Sequence, residues 1–260
     1  MDNRLLSIIT INYNNTDGLR ETMKSVMSQT WKDFEHIVID GGSTDSSVEV
    51  IQSFSYDHLI WISEPDHGIY NAMNKGIKKA SGKYLLFLNS GDVLSGSEVL
   101  SKISSDLKND YDLVIGSIKT VKEAIDKIIK PPSIITLKYL LTNSLPHPST
   151  FYKNELFEIY GMYNEQNKIV SDWEFNLKLF ASTEVNYKIV EYIVSVFDLS
   201  GISSSTSNRD VMREEGKRAV RAIYGELTAE YILNTLERKT YKSSKKKKLL
   251  ALLNKLYKWR

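Results

Sequence analysis

Four carboxylates and an Asn-Tyr pair stand where apolar runs end in the first hundred residues. Ile8–Ile11 stops at Asn12-Tyr13, Ile37–Ile39 at Asp40, the run through Ile62 near Glu64 and Asp66, and Leu85–Leu88 at Asn89-Ser90-Gly91-Asp92. Carboxylates accept hydrogen bonds from a base N–H or a ribose hydroxyl, and Gly-rich turns let a ligand approach the backbone closely. A further acid can hold the divalent cation that offsets a diphosphate charge. Each turn alone is more often only a turn. Four consecutive runs ending this way point to nucleotide chemistry, with Asp92 the place for a metal.

The intervening segments must bring those ends together. Residues 5–13 form a strand candidate, followed by a helix over 17–29 that Thr16 or Asp17 can cap. Glu35–Asp40 is a second strand, and a helix with Val48, Ile51 and Phe54 inward follows it. Residues 58–63 are a third strand and 69–80 a third helix; Tyr84–Leu88, an unbroken apolar run, is a fourth strand buried on both faces. The order β-α-β-α-β-α-β predicts an α/β fold with a parallel, Rossmann-like sheet flanked by helices and right-handed crossovers. Open sheets of this kind bind ligands beyond the carboxyl ends of their strands.

The second half is less regular. Helices are expected over 97–108, 136–141, 153–160 and 171–181, and strands at Asp112–Gly116 and Ile189–Phe197. Ser149–Tyr152, after Pro146-His147-Pro148, reads as an edge strand, and the span around Pro131-Pro132 as irregular. A Ser-rich loop, 200–207, precedes a charged helix over 208–236.

Composition narrows the classes. The chain has 260 residues, 42% apolar and 25% charged, as in ordinary globular proteins. It has no cysteine, which excludes disulfides and thiolate metal sites and suits a reducing compartment. No leader-like apolar stretch and no membrane-spanning window is expected. Ten of the 34 Lys and Arg lie in 238–260 with no acid among them, so the other 24 face 32 acids, a net −8.

Ile8–Tyr13, Val38-Ile-Asp-Gly-Gly-Ser-Thr-Asp45, Glu64-Pro-Asp-His-Gly-Ile-Tyr-Asn-Ala-Met-Asn-Lys-Gly76 and Phe87-Leu-Asn-Ser-Gly-Asp92 together resemble the family 2 inverting glycosyltransferases of GT-A fold. The likeness is strongest over 5–95 and can be followed to about 205. It implies a nucleotide-sugar donor, UDP-linked by preference. Thr10, Asn12, Tyr13 and Asp40 would surround the base, Asp66 and Lys75 would lie near the ribose and diphosphate, and Ser90 would belong to the same donor site. Asp92 would coordinate Mn²⁺ or Mg²⁺. Two departures stand out: the family's metal motif usually has two acids where this chain has Asn89 and Gly91 besides Asp92, and Met73 replaces a frequent Arg, leaving Lys75 to meet the phosphates.

The resemblance extends to Ser171-Asp172-Trp173-Glu174-Phe175, where Asp172 would be the general base. Asp172 equally fits a helix cap, with Glu174 the fallback base, and Trp173 either stacks on an acceptor sugar or fills the core. His147 matches a position near the family's active site, although an isolated His is more often structural. Asp198 lies at a loop expected to close over the donor and to assist the metal, with Ser200, Gly201 and Ser203 supplying its flexibility. Residues 241–260 place Leu249, Leu250, Leu253, Leu256 and Tyr257 at helical spacing among lysines, a basic amphipathic tail suited to a membrane surface; a helix packed on the body is its rival. No nucleic-acid motif accompanies the lysines, and a homo-oligomer is left open.

The expected organisation is a glycosyltransferase domain over 1–205, divided into a donor half, 1–96, and an acceptor half, 97–205, then a helical extension over 206–240 and the tail. The expected activity is inverting, metal-dependent transfer to a glycan or lipid-linked glycan in surface polysaccharide synthesis, by a bacterial protein peripheral to the cytoplasmic face of the membrane. The alternatives are transfer to a polyprenyl phosphate, nucleotidyl transfer, and a non-catalytic module that binds nucleotide or glycan.

Overall fold

A computed structural model describes residues 4–122, 125–199, 201 and 206–236. The tail over 241–260, and Ser200 and Ser203 of the expected loop, lie outside the described residues. The chain forms two compact units, one ending at Val211 and one beginning at Met212.

In the first unit, β1 (Leu6–Asn12), β2 (Phe34–Asp40), β3 (Leu59–Ser63) and β4 (Tyr84–Phe87) lie parallel, with β1 and β2 buried along their whole length. Their register aligns Asn12 with Asp40 and Asp40 with Ser63, so the polar strand ends meet on one edge. The crossovers are α1 (Thr16–Met27), α2 (Ser47–Ser53) and α3 (Ile69–Lys79). Spacing of three and four residues turns Leu19, Met23 and Val26 of α1 inward together. Asn15 caps α1, its Oδ1 accepting from Gly18 N, where Thr16 or Asp17 was expected.

The second half adds β5 (Val93–Leu94), α4 (Val99–Leu107), β6 (Leu113–Lys122), β7 (Ile125–Ile129), α5 (Leu137–Leu140), β8 (Thr150–Lys153), α6 (Glu155–Tyr160), α7 (Ser171–Ser182) and β9 (Tyr187–Phe197). Among the described residues the sheet runs β3-β2-β1-β4-β8-β6-β9-β5, with β7 on β6. Two expectations change here. The strand foreseen at an edge is central: β8 runs antiparallel between β4 and β6, burying Thr150, Phe151 and Tyr152. Its prolines do not prevent this, because Pro146 and Pro148 sit in the turn before the strand, where no ladder hydrogen bond is required of them. The span foreseen as irregular instead contains the end of β6 and β7, paired antiparallel from Ile118↔Ile129 to Lys122↔Ile125. The expected 208–236 helix is also divided: α8 (Arg209–Tyr224) stops at Gly225, whose φ of +74° ends it, and residues 226–236 form a separate helical stretch. No helix among the described residues is long and apolar enough to cross a membrane.

The core joins both halves: Leu6, Ile8, Leu86 and Leu88 pack with Leu100, Ile103, Val114, Phe151 and Val194. Burying each such side chain is worth about 1.5–3 kcal/mol. Through the parallel half runs a buried polar chain. Thr10 Oγ1 donates to Leu88 O at 2.7 Å, so its oxygen accepts from His36 Nε2–H at 2.9 Å, and His36 Nδ1 accepts from the Tyr56 hydroxyl at 2.6 Å. Burial first, and the neighbouring His58 second, push the His36 imidazole down to about 3, so it stays neutral and the chain of donors keeps one direction. Thr10→Val preserves the shape but strands Leu88 O and His36 Nε2–H. Urea unfolding is expected to show a loss of about 1–3 kcal/mol, the cost of leaving buried polar groups unpaired.

Candidate active site

At the ends of β1 and β2, Asp40 is fully buried and collects four donors: Asn12 Nδ2 at 2.8 Å, Ser43 Oγ at 2.6 Å, Ser43 N at 3.0 Å and Ser63 Oγ at 2.6 Å. Burial works to raise its pKa, but the hydrogen bonds from Ser43, Ser63 and Asn12 outweigh it and hold the carboxyl below its usual range. Because Asp40 takes the amide N–H of Asn12, the Asn12 carbonyl must turn away from it. Asn12 Oδ1 is buried without a hydrogen-bond partner. Tyr13 beside it is 64% exposed. Gly41 lets Asp66 close in: a Cβ there would lie 2.4 Å from Asp66 Oδ2 and 3.4 Å from the Tyr13 ring. Asp66 Oδ1 meanwhile accepts from Gly68 N at 2.9 Å. Asn12, Tyr13, Asp40 and Asp66 thus come together. Thr10 lies two residues back on the same face, one level deeper, with its hydroxyl spent inside the sheet. Lys75 is engaged by Glu64 at 2.9 Å and by Pro65 O at 2.9 Å.

The turn after β4 is held by α1. Thr22 Oγ1 donates to Asp92 O at 2.7 Å and accepts from Gly91 N at 3.0 Å, while Asn15 Nδ2 reaches Ser90 O at 3.1 Å and Ser90 Oγ at 3.3 Å. Asp92, 3% exposed, is joined from the far end of the unit by Asp198, whose backbone N–H donates to Asp92 Oδ1 at 2.9 Å. Pairing of β5 with β9, Val93↔Val196, delivers Asp198 there. Gly91 makes room for it. Its φ is +104°, and a Cβ would sit 2.6 Å from Asp198 Oδ2. Burial first, then the Asp198 charge, push Asp92 up to about 7 against the backbone hydrogen bonds it accepts.

Two carboxylates side by side are hard oxygen donors of the kind that fit a Mg²⁺ or Mn²⁺ drawing its remaining ligands from a diphosphate and water. Among the described residues no group of three or more His, Cys, Asp or Glu gathers as a metal site.

The third group is built on α3. Asn74 Nδ2 donates to Tyr163 O at 2.9 Å and to Glu165 Oε1 at 2.8 Å, and its Oδ1 accepts from Tyr163 N at 3.1 Å; Asn71 Nδ2 reaches Glu165 Oε2 at 2.9 Å. Tyr70 places its hydroxyl 2.8 Å from Asp172 Oδ1 and 2.6 Å from Ile169 O. Asp172 itself is half-buried in the first turn of α7. His147 stacks on Phe87 with ring centroids 4.9 Å apart, and its Nε2 lies 3.0 Å from the Tyr163 hydroxyl. Burial lowers its pKa while Asp172 pulls the other way, and burial wins. Glu174 faces Asn164 and Asn167, holding the loop before α7, and the Trp173 indole N–H donates to Leu140 O.

Sequence reasoning missed Thr22, Asn15, Tyr70 and Asn74. Tyr70 and Asn74 lie inside the quoted Gly68–Gly76 stretch, so a signal existed for them. Thr22 and Asn15 carry none beyond a polar residue in or before a helix.

Comparisons with known proteins give the family and the fold. Residues 7–171 match the family model described as Glycosyl transferase family 2. An uncharacterized glycosyltransferase of Mycobacterium tuberculosis is 34% identical over 203 residues, 76% of this chain and 77% of its own. A PGL/p-HBAD biosynthesis glycosyltransferase of Mycobacterium bovis is 27% identical over 216 residues, 80% of this chain and 83% of its own. Staphylococcus aureus TarS 1–349, solved in complex with UDP-GlcNAc, superposes with a TM-score of 0.68 at 20% identity, over 88% of this chain and 70% of that one; its likeness is one of GT-A fold.

Asp40→Asn tests the strand-end cluster. A carboxyl with a depressed folded pKa adds stability that is present above its unfolded value, near 3.8, and lost as pH falls through the folded value. Urea midpoints should therefore show the variant weaker by about 1.5–3 kcal/mol at pH 7, with the gap narrowing in acid.

Proposed function

Because the chain belongs to glycosyl transferase family 2 and is a glycosyltransferase of GT-A fold, we propose that it moves a sugar from a UDP-linked donor to a glycan or lipid-linked glycan, with inversion. The observation that carries this reading is the apposition of Asp92 and Asp198 on the edge where β1, β2 and β3 also end.

The residues take these roles. The exposed Tyr13 ring offers a stacking face to the base. Asn12 Oδ1 is an acceptor for a base N–H, and Asp40 orients that amide. Asp66 accepts from the ribose hydroxyls. Lys75 serves the diphosphate only by giving up its contact with Glu64. Asp92 and Asp198 would hold a Mn²⁺ or Mg²⁺, which when bound offsets the charge of the departing diphosphate. Asp172 takes the proton of the acceptor hydroxyl as its oxygen bonds to the anomeric carbon. The bond from that carbon to the diphosphate oxygen breaks, and its electron pair leaves with UDP. His147, half-buried and stacked on Phe87, supports the wall behind Asp172.

The UDP preference draws support from the strand-end cluster and from TarS having been solved with UDP-GlcNAc. A lipid-linked acceptor in surface polysaccharide synthesis, and a place at the cytoplasmic face of the membrane, draw support from the ten basic residues of 238–260. The same composition supports the division into a transferase domain to about 205, a helical extension and a basic tail.

Calorimetric titration of UDP with and without Mn²⁺ tests the donor site. Mn²⁺ is expected to tighten UDP binding in the wild type and to have no effect in Asp92→Ala. Binding of GDP or dTDP in place of UDP would reassign the nucleotide, and no binding of any nucleotide would leave a glycan-binding module instead. With a donor in hand, Asp172→Asn is expected to lower kcat about 10²- to 10⁴-fold at unchanged UDP affinity.

A further inference from the structure

A carboxylate works as a general base only if one oxygen faces the acceptor hydroxyl within hydrogen-bond reach, and a free Asp side chain rotates. Asp172 sits at the start of α7, whose N-cap, Val170, offers no side-chain cap. The side chain that reaches this turn is Tyr70 of α3, more than a hundred residues earlier in the chain.

The Tyr70 phenol is 5% exposed, with its hydroxyl aimed at the start of α7. The same hydroxyl group lies 2.8 Å from Asp172 Oδ1 and 2.6 Å from Ile169 O, the last turn of loop before the helix. Its ring packs against Tyr163, with centroids 5.6 Å apart, and Tyr163 is pinned through its backbone by Asn74. Burial first, and the Asp172 charge second, raise Tyr70 well above the ordinary phenol range, so the proton stays on its oxygen.

Taking Asp172 as the base, which rests on the function proposed above, we infer that Tyr70 is its positioning residue: its hydroxyl, reaching from α3, ties Asp172 Oδ1 to the turn before α7 so that Oδ2 is left for the acceptor hydroxyl. The helix that carries Tyr70 begins at Ile69, three residues after Asp66, so one rigid element sets the donor loop and the base together. This role falls outside the metal and nucleotide contacts, and Tyr70 touches neither reacting atom.

Tyr70→Phe, alone and combined with Asp172→Asn, tests the inference. The readouts are release of UDP from UDP-N-acetylglucosamine or UDP-glucose with water as acceptor, calorimetric affinity for UDP, and amide hydrogen exchange in the first turn of α7. Tyr70→Phe is expected to lower kcat about 10- to 100-fold, the cost of a misplaced catalytic group. UDP affinity and donor KM should stay within about twofold of wild type, the pattern of an interaction that acts in the chemical step. Exchange at Glu174, whose N–H closes the first turn of α7 on Val170 O, should accelerate while β1 and β2 stay protected. Added to Asp172→Asn, the change should cost nothing more, because the two act as a unit. Unchanged kcat with unchanged exchange overturns the inference, and so does a full further loss in the Asp172→Asn background. If the wild type releases no UDP from either donor, the proposed donor or reaction has failed, and exchange at α7 still decides for or against Tyr70.

Discussion

A carboxylate buried at the end of a strand must be given donors or a counter-charge, and this molecule answers that demand in two opposite ways. Asp40 receives four donors from three neighbouring side chains and one backbone N–H, which keeps its charge at low cost and makes it a fixed strut. Asp92 is buried almost as deeply but receives a second carboxylate as neighbour. The first arrangement is complete within the protein. The second sets two acids against one another, and burial together with the neighbouring charge holds Asp92 above the usual carboxylate range. The parallel register of β1, β2 and β4 brings the ends of these strands to one edge.

Around that edge the two halves are interleaved. β8 enters beside β4, β5 pairs with β9, and α3 reaches from the donor side to grip Tyr163, Glu165, Ile169 and Asp172. Glu165 is held below the usual carboxylate range by Asn74 and then Asn71, a sign that this grip is electrostatic as well as steric. Few of the contacts that define the site are local. A change in α3 is therefore felt on both sides of the reaction centre.

The parallel half was legible because its signals are local: unbroken apolar runs for β1, β2 and β4, amphipathic spacing for α1 and α3, and polar residues where the runs stop. β8 was misplaced because Pro146 and Pro148 are edge signals only when they lie inside the strand, and here they precede it. β7 went unseen because the register with β6 supplies its order, not any run of its own. Gly91 reads along the chain as an acid lost from a metal motif. In three dimensions it is the space that Asp198 occupies, and no spacing rule connects positions 106 apart. Lys75 reads as a free cation for phosphates, and the loop after β3 turns Glu64 onto it. Tyr70, at a helical spacing suited to the core, does pack there, but its hydroxyl has a second purpose that only the fold reveals.

The separations involved also order events during synthesis. The pair Asn12–Asp40 is 28 residues apart and can form as soon as β2 is made. Tyr70 must wait 102 residues for Asp172, and Asp92 waits 106 for Asp198. Domains fold from the N-terminus as they emerge, and distant contacts close last. The edge that gathers Asn12 and Asp40 can thus exist on a growing chain well before Asp172 and Asp198 arrive. A truncated product ending short of position 172 would keep that edge while lacking both later acids.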